Sequence, residues 1–151
     1  MSRGSLEMHP PILLVEDNPD DEALTIRAFT KNSIQNPIVV ARDGQEALDY
    51  LYAQGNYAAR NPLERPVLIL LDIKLPKLNG IEVLRQIRSH DTTKLIPVVV
   101  LTTSKEEDDL VKSYSLGANS YIRKPVDFMR FMEVVKQVGI YWLMLNEPVQ
   151  F

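Results

Sequence analysis

The chain has 151 residues, 45% hydrophobic and 25% charged, a length that suits one well-packed domain and is too short for two ordinary ones. Its net charge of -3 supplies no basic field for displacing counterions from a duplex, which argues against direct binding of nucleic acid. With no cysteine there is neither a disulfide framework nor a thiolate metal site, and a cytoplasmic location is expected.

Residues 1–10 include Arg3, Glu7, His9 and Pro10 but no apolar core of signal-peptide length, and are expected to form a flexible arm. The remainder, 11–151, is expected to be one domain with an extended C-terminal helix and tail. Ile12-Leu13-Leu14-Val15 is a short apolar run that suits a strand covered on both faces, and Glu16-Asp17 closes it. Asn18 then fits a helix cap, Pro19 the first turn, and Asp20-Asp21 the positive end of the helix dipole. Pro37 to Ala41 reads as the second strand. Asp43-Gly44 leads into a helix carrying Ala47, Leu48, Leu51 and Tyr52, for which Gly55 is the expected stop. Asn56 to Pro66 reads as a surface loop.

Val67 to Leu71 is the third strand, closed by Asp72, and the Asn79-Gly80 turn precedes a helix with Ile81, Val83, Leu84 and Ile87 on one side. Pro97 to Leu101 is the fourth strand. Ser104 and Glu107 form a capping-box pattern for the next helix, which Gly117 would end. Ser120 to Ile122 is the fifth strand, and Asp127 caps a last helix running through Phe128, Phe131, Met132, Val135 and Val138. The apolar stretch Val138 to Leu145 is too short to span a bilayer, so no membrane partner is expected. Repeated strand-helix alternation with right-handed crossovers implies an α/β fold with a doubly wound parallel sheet and helices on both faces.

In such sheets the ligand crevice lies at the carboxyl ends of the strands. Two buried strands ending in carboxylates, at Glu16-Asp17 and at Asp72, therefore point to a shared cation and phosphate chemistry at one sheet edge. Taken alone, Asp72 would sooner suit a strand-end cap, and a surface acidic pair is the alternative for Glu16-Asp17.

The motifs taken together resemble the receiver domains of two-component response regulators. The resemblance rests on Glu16-Asp17 after the first strand, Asp72 followed by Pro76 and Gly80, Thr102 after the fourth strand and Lys124-Pro125 after the fifth. It spans roughly Ile12 to Met132, about four-fifths of the chain. It implies a flavodoxin-like, five-stranded sheet in the order 2-1-3-4-5. It also implies that Asp72 is the nucleophile that accepts a phosphoryl group, and that the protein catalyses its own phosphorylation and slow dephosphorylation.

Phosphoryl charge approaching several carboxylates calls for a hard cation, and Mg2+ fits oxygen donors. The resemblance implies direct contacts from Asp17 and Asp72, a water-mediated contact from Glu16 and a backbone carbonyl contact from Lys74. Lys124 and Thr102 would steady the phosphoryl oxygens, and Thr102 with Tyr121 would form the switch that changes the protein's surface. A static Tyr121 is the plainer alternative. Thr103 stands where relatives often carry alanine, beside the switch position.

The tail Ile140-Tyr141-Trp142-Leu143-Met144-Leu145-Asn146-Glu147-Pro148 is more apolar than one amphipathic face requires, although folding back onto its own domain would also account for it. With the loop after the second helix, it resembles the single-domain regulators of cyanobacterial phytochromes. That implies a sensor histidine kinase, a phytochrome, as phosphodonor. It also implies a homodimer, with Phe128, Tyr141 and Trp142 at its interface. Two rivals are a phosphorylation-independent dimerisation scaffold and a haloacid-dehalogenase-type phosphohydrolase; the latter would want an aspartate where Lys74 stands.

Overall fold

β1 (Ile12–Val15) and β3 (Leu68–Asp72) are buried at every position, as expected of strands with helices over both faces. The computed structural model describes residues 9–102 and 115–123, together with 129, 132, 133, 136 and 137. β2 (Ile38–Ala41), β4 (Val98–Thr102) and β5 (Ser120–Arg123) complete a sheet in the order β2-β1-β3-β4-β5. Every pairing is parallel, and β1 lies beside β3 with Val15 opposite Leu71. The expected strand order is therefore the one observed.

The uninterrupted apolar runs divide between two cores by alternation. Leu13, Val15, Ile69, Leu71, Val98 and Val100 face α2 (Gly44–Tyr52) and α3 (Gly80–Ser89), packing with Leu48, Leu51, Val83 and Ile87. Ile12, Leu14, Leu68, Leu70, Val99 and Leu101 face the other way, toward Ala28 and Phe29 of α1 (Pro19–Lys31). Helices thus cover both faces.

Local chemistry sets the helix starts. The Asn18 side chain accepts from the Asp20 and Asp21 amides at 2.8 and 3.1 Å, with Pro19 at the first turn. Asp43 caps α2 through the Glu46 amide at 2.8 Å, and Asn79 caps α3 through the Glu82 amide at 3.1 Å. Asn79-Gly80 is therefore a helix start rather than a free-standing turn.

Other boundaries also move. Helix α2 stops at Tyr52, before Gly55, because Ala53 adopts the left-handed conformation and its amide returns to Asp49 and Tyr50. Gly55–Tyr57 forms a 3-10 turn that runs from the expected stop into the expected loop. Pro37 and Pro97 fall outside their strands, since neither can donate to the ladder; each supplies only a carbonyl, to Ile12 at 2.8 Å and Ile69 at 3.0 Å. β4 and β5 each run one residue further than expected, pairing Thr102 with Arg123. Gly117 has a positive φ of 92°, consistent with the expected stop, whereas the Ser104 and Asp127 caps and residues 1–8 of the arm lie outside the described residues.

Arg88 joins α3 to the starts of two strands. Its guanidinium donates to the carbonyls of Lys94, Ile96 and Gly117 at 2.8–3.1 Å, and to the Asn119 side chain at 3.0 Å. Burial lowers its pKa.

Tyr57 in the 3-10 turn donates to the Glu46 carboxylate at 2.7 Å. That hydrogen bond, followed by burial and the Glu46 charge, pushes its pKa up to about 12 from an ordinary 10.0. A folded value above the unfolded one means the fold favours the neutral phenol. The contribution is complete below pH 10 and is lost as pH rises toward about 12. Urea midpoints of wild type and Tyr57→Phe are therefore expected to converge over this window, and a constant gap would contradict the assignment.

Candidate functional site

Because β1 and β3 are neighbours in register, the residues that follow Val15 and Leu71 emerge side by side at the carboxyl edge of the sheet. Glu16, Asp17 and Asp72 each place a carboxylate oxygen so that all three oxygens lie within 4.8 Å of one another. Glu16 is fully buried and Asp72 is 6% exposed, while Asp17 faces solvent. A solvated acidic face would not bury two of its members.

Backbone hydrogen bonds hold the two buried members. The Glu16 carboxylate accepts the Asn18 amide at 3.3 Å, and its own amide donates to the Ala41 carbonyl at 2.9 Å. Asp72 accepts the Lys74 amide at 3.1 Å, which brings the Lys74 backbone beside the Asp72 carboxylate. Three neighbouring carboxylates repel one another, and a hard divalent cation relieves that repulsion with the oxygen ligands it prefers. The donor set fits Mg2+ or Mn2+ and lacks the nitrogen and sulfur ligands typical of zinc.

Thr102 ends β4 one residue beyond Leu101, the partner of Asp72, so its backbone reaches the same edge. Tyr121 lies opposite Val100 on β5, partly buried against the core that faces α2 and α3. Lys124, Phe128, Tyr141 and Trp142 lie outside the described residues.

The segment from Asp72 to α3 closes tightly. The Gly80 amide donates to the Ile73 carbonyl at 2.8 Å, and a Cβ at Gly80 would stand 2.2 Å from the Asp72 carbonyl oxygen. At the tip, the Leu78 amide donates to the Pro76 carbonyl at 2.7 Å across Lys77, whose φ is 66°. This is a γ-turn for which a lysine gives no sequence signal. Gly44 had a faint one: glycine at the first position of a capped helix, where a better helix former would ordinarily stand, hints at close backbone approach.

A cleft of about 790 Å3 lies elsewhere, lined by Pro11, Val67 and Pro97 at the amino ends of β1, β3 and β4, and by Leu63 and Leu95. It holds none of the three carboxylates. Among the described residues, no helix is long and apolar enough to cross a membrane.

The profile of the response regulator receiver domain matches residues 12–136. Response regulator Rcp1 from Synechocystis sp. is 42% identical over 139 residues, covering 91% of this chain and 92% of that protein. Among solved structures, the phosphorylated cyanobacterial phytochrome response regulator RcpA superposes with a TM-score of 0.82 at 44% identity, covering 91% of this chain and 96% of RcpA. The Mn2+-bound form of Rcp1 gives 0.80 at 39% identity, with coverage of 95% and 99%.

Proposed function

The chain belongs to the response regulator receiver family, and from that premise we propose that it is a phosphoacceptor taking a phosphoryl group on Asp72 from a phytochrome-type histidine kinase. The observation that carries this reading is the convergence of Asp72, Glu16 and Asp17 at the carboxyl edge, with the first two buried. Support for the partner comes from the likeness to RcpA and Rcp1. Support for a divalent ion comes from the carboxylate cluster and the likeness to Mn2+-bound Rcp1.

In this mechanism a carboxylate oxygen of Asp72 attacks phosphorus, the phosphorus–nitrogen bond to the donor imidazole breaks, and an acyl phosphate forms. The imidazole leaves with a proton from solvent. Asp17 and Asp72 would bind Mg2+ directly, Glu16 through water and Lys74 through its carbonyl; when bound, the ion neutralises developing charge on the phosphoryl oxygens. The Lys74 amide orients the nucleophile through its bond to Asp72. Lys124 and the Thr102 hydroxyl hold the transferred oxygens, and Thr102 with Tyr121 passes the change to the surface. Later attack of water on phosphorus restores the carboxylate and releases inorganic phosphate. Output follows from altered association in the cytoplasm, with Phe128, Tyr141 and Trp142 in a homodimer interface.

Incubation with acetyl phosphate and Mg2+, read by intact mass, is expected to add one phosphoryl group; excess chelator is expected to prevent it. Unlabelled protein under conditions that label a control receiver would overturn the proposal.

A further inference from the structure

We infer that the amino end of α2 is the seat of the loop that follows the phosphoacceptor, with Gly44 and Lys77 acting as positioning residues for metal binding. This rests on the phosphoacceptor reading of Asp72. The loop between β3 and α3 has its neck at Gly80, where the amide returns to Ile73, and its tip at Lys77 and Leu78. A neck alone leaves the tip free to pivot. The tip is instead docked on α2: a Cβ built at Gly44 would stand 1.9 Å from the Leu78 carbonyl oxygen and 2.9 Å from the Leu78 Cβ.

Two further contacts hold the tip there. Leu78 packs partly buried against the core shared by α2 and α3, and the Lys77 ammonium lies 3.4 Å from the Asp43 carboxylate. Asp43 also caps α2 through its other oxygen, so one side chain fixes the helix start and meets the loop. Displacement of the tip is transmitted through Pro76 and Leu75 to Lys74, whose amide holds an Asp72 carboxylate oxygen at 3.1 Å. A methyl group at position 44 meets backbone, which cannot swing aside as a flexible side chain can.

Lys77→Gln provides the discriminating variant because two effects oppose in sign. Loss of a positive charge can only favour a bound cation through space, whereas loss of the loop's tether weakens its ligand geometry.

The test is Mn2+ affinity by electron paramagnetic resonance, together with the Lys74 amide resonance in the metal-free protein. Gly44→Ala is expected to bind Mn2+ about tenfold more weakly, the scale of outer-shell contacts, with a displaced Lys74 resonance. Lys77→Gln is expected to weaken binding about threefold, within reach of an exposed ion pair. Wild-type affinity and an unmoved Lys74 resonance in folded Gly44→Ala would overturn the inference. Should that variant not fold, unchanged or tighter Mn2+ binding by Lys77→Gln would overturn it. Wild-type protein that takes up no Mn2+ would sink the phosphoacceptor reading, and this inference with it.

Discussion

Asp72→Asn is expected to take up no phosphoryl group from acetyl phosphate at any Mg2+ concentration, while wild type gains one. Asparagine keeps the volume and can still accept the Lys74 amide, so the fold survives the change. The nucleophile does not, because an amide oxygen lacks the carboxylate's negative charge. A second effect separates this account from simple damage. Like charges about 4 Å apart repel by roughly 1–4 kcal/mol between water-like and protein-surface screening. Removing one of three carboxylates should therefore stabilise the metal-free protein, each kcal/mol raising Tm by about 2–4 °C at this chain length. Added Mg2+ should raise the wild-type Tm by mass action and raise that of Asp72→Asn far less. Intact mass and paired thermal melts read both effects. Phosphoryl labelling of the Asp72→Asn variant would move the acceptor elsewhere, and a lower metal-free Tm would show that mutual repulsion is not the dominant interaction in the cluster.

Gly80→Ala is expected to destabilise the protein by about 2 kcal/mol, despite placing a better helix former at the start of α3. The propensity gain is at most about 1 kcal/mol. Against it stands a Cβ 2.2 Å from the Asp72 carbonyl oxygen and 2.7 Å from the Ile73 Cα, both backbone atoms of the chain leaving β3. Overpacking of this kind costs about 1–3 kcal/mol, and the upper end applies because neither obstacle can rotate away. The urea midpoint should fall at constant m-value. An unchanged midpoint would mean that α3 shifts along the sheet at no cost.

The strand order and the three-carboxylate edge were legible because both follow from where apolar runs stop. Val15 and Leu71 are the last apolar members of buried strands, so the first polar residues beyond them had to surface at the same end. Boundaries were less legible where the chain's own hydrogen bonds decide them. Gly55 was the obvious stop for α2, yet Ala53 takes the left-handed position through its amide's return to Asp49 and Tyr50. Asn79-Gly80 carries both a turn signal and a cap signal, and only the observed bond to the Glu82 amide separates them. The docking of Leu78 on Gly44 joins residues far apart in the chain and leaves no local pattern beyond an out-of-place glycine.

Arg88 makes the last part of the sheet interdependent with a helix formed earlier in the chain. Its acceptors lie from six to 31 residues downstream, and they sit at the opposite pole from the acidic cluster. A fragment ending after β4 would retain the guanidinium while discarding the Gly117 and Asn119 oxygens that receive it. The natural break for a split, complementing pair is therefore upstream of α3, where the cation and all of its acceptors travel on one piece.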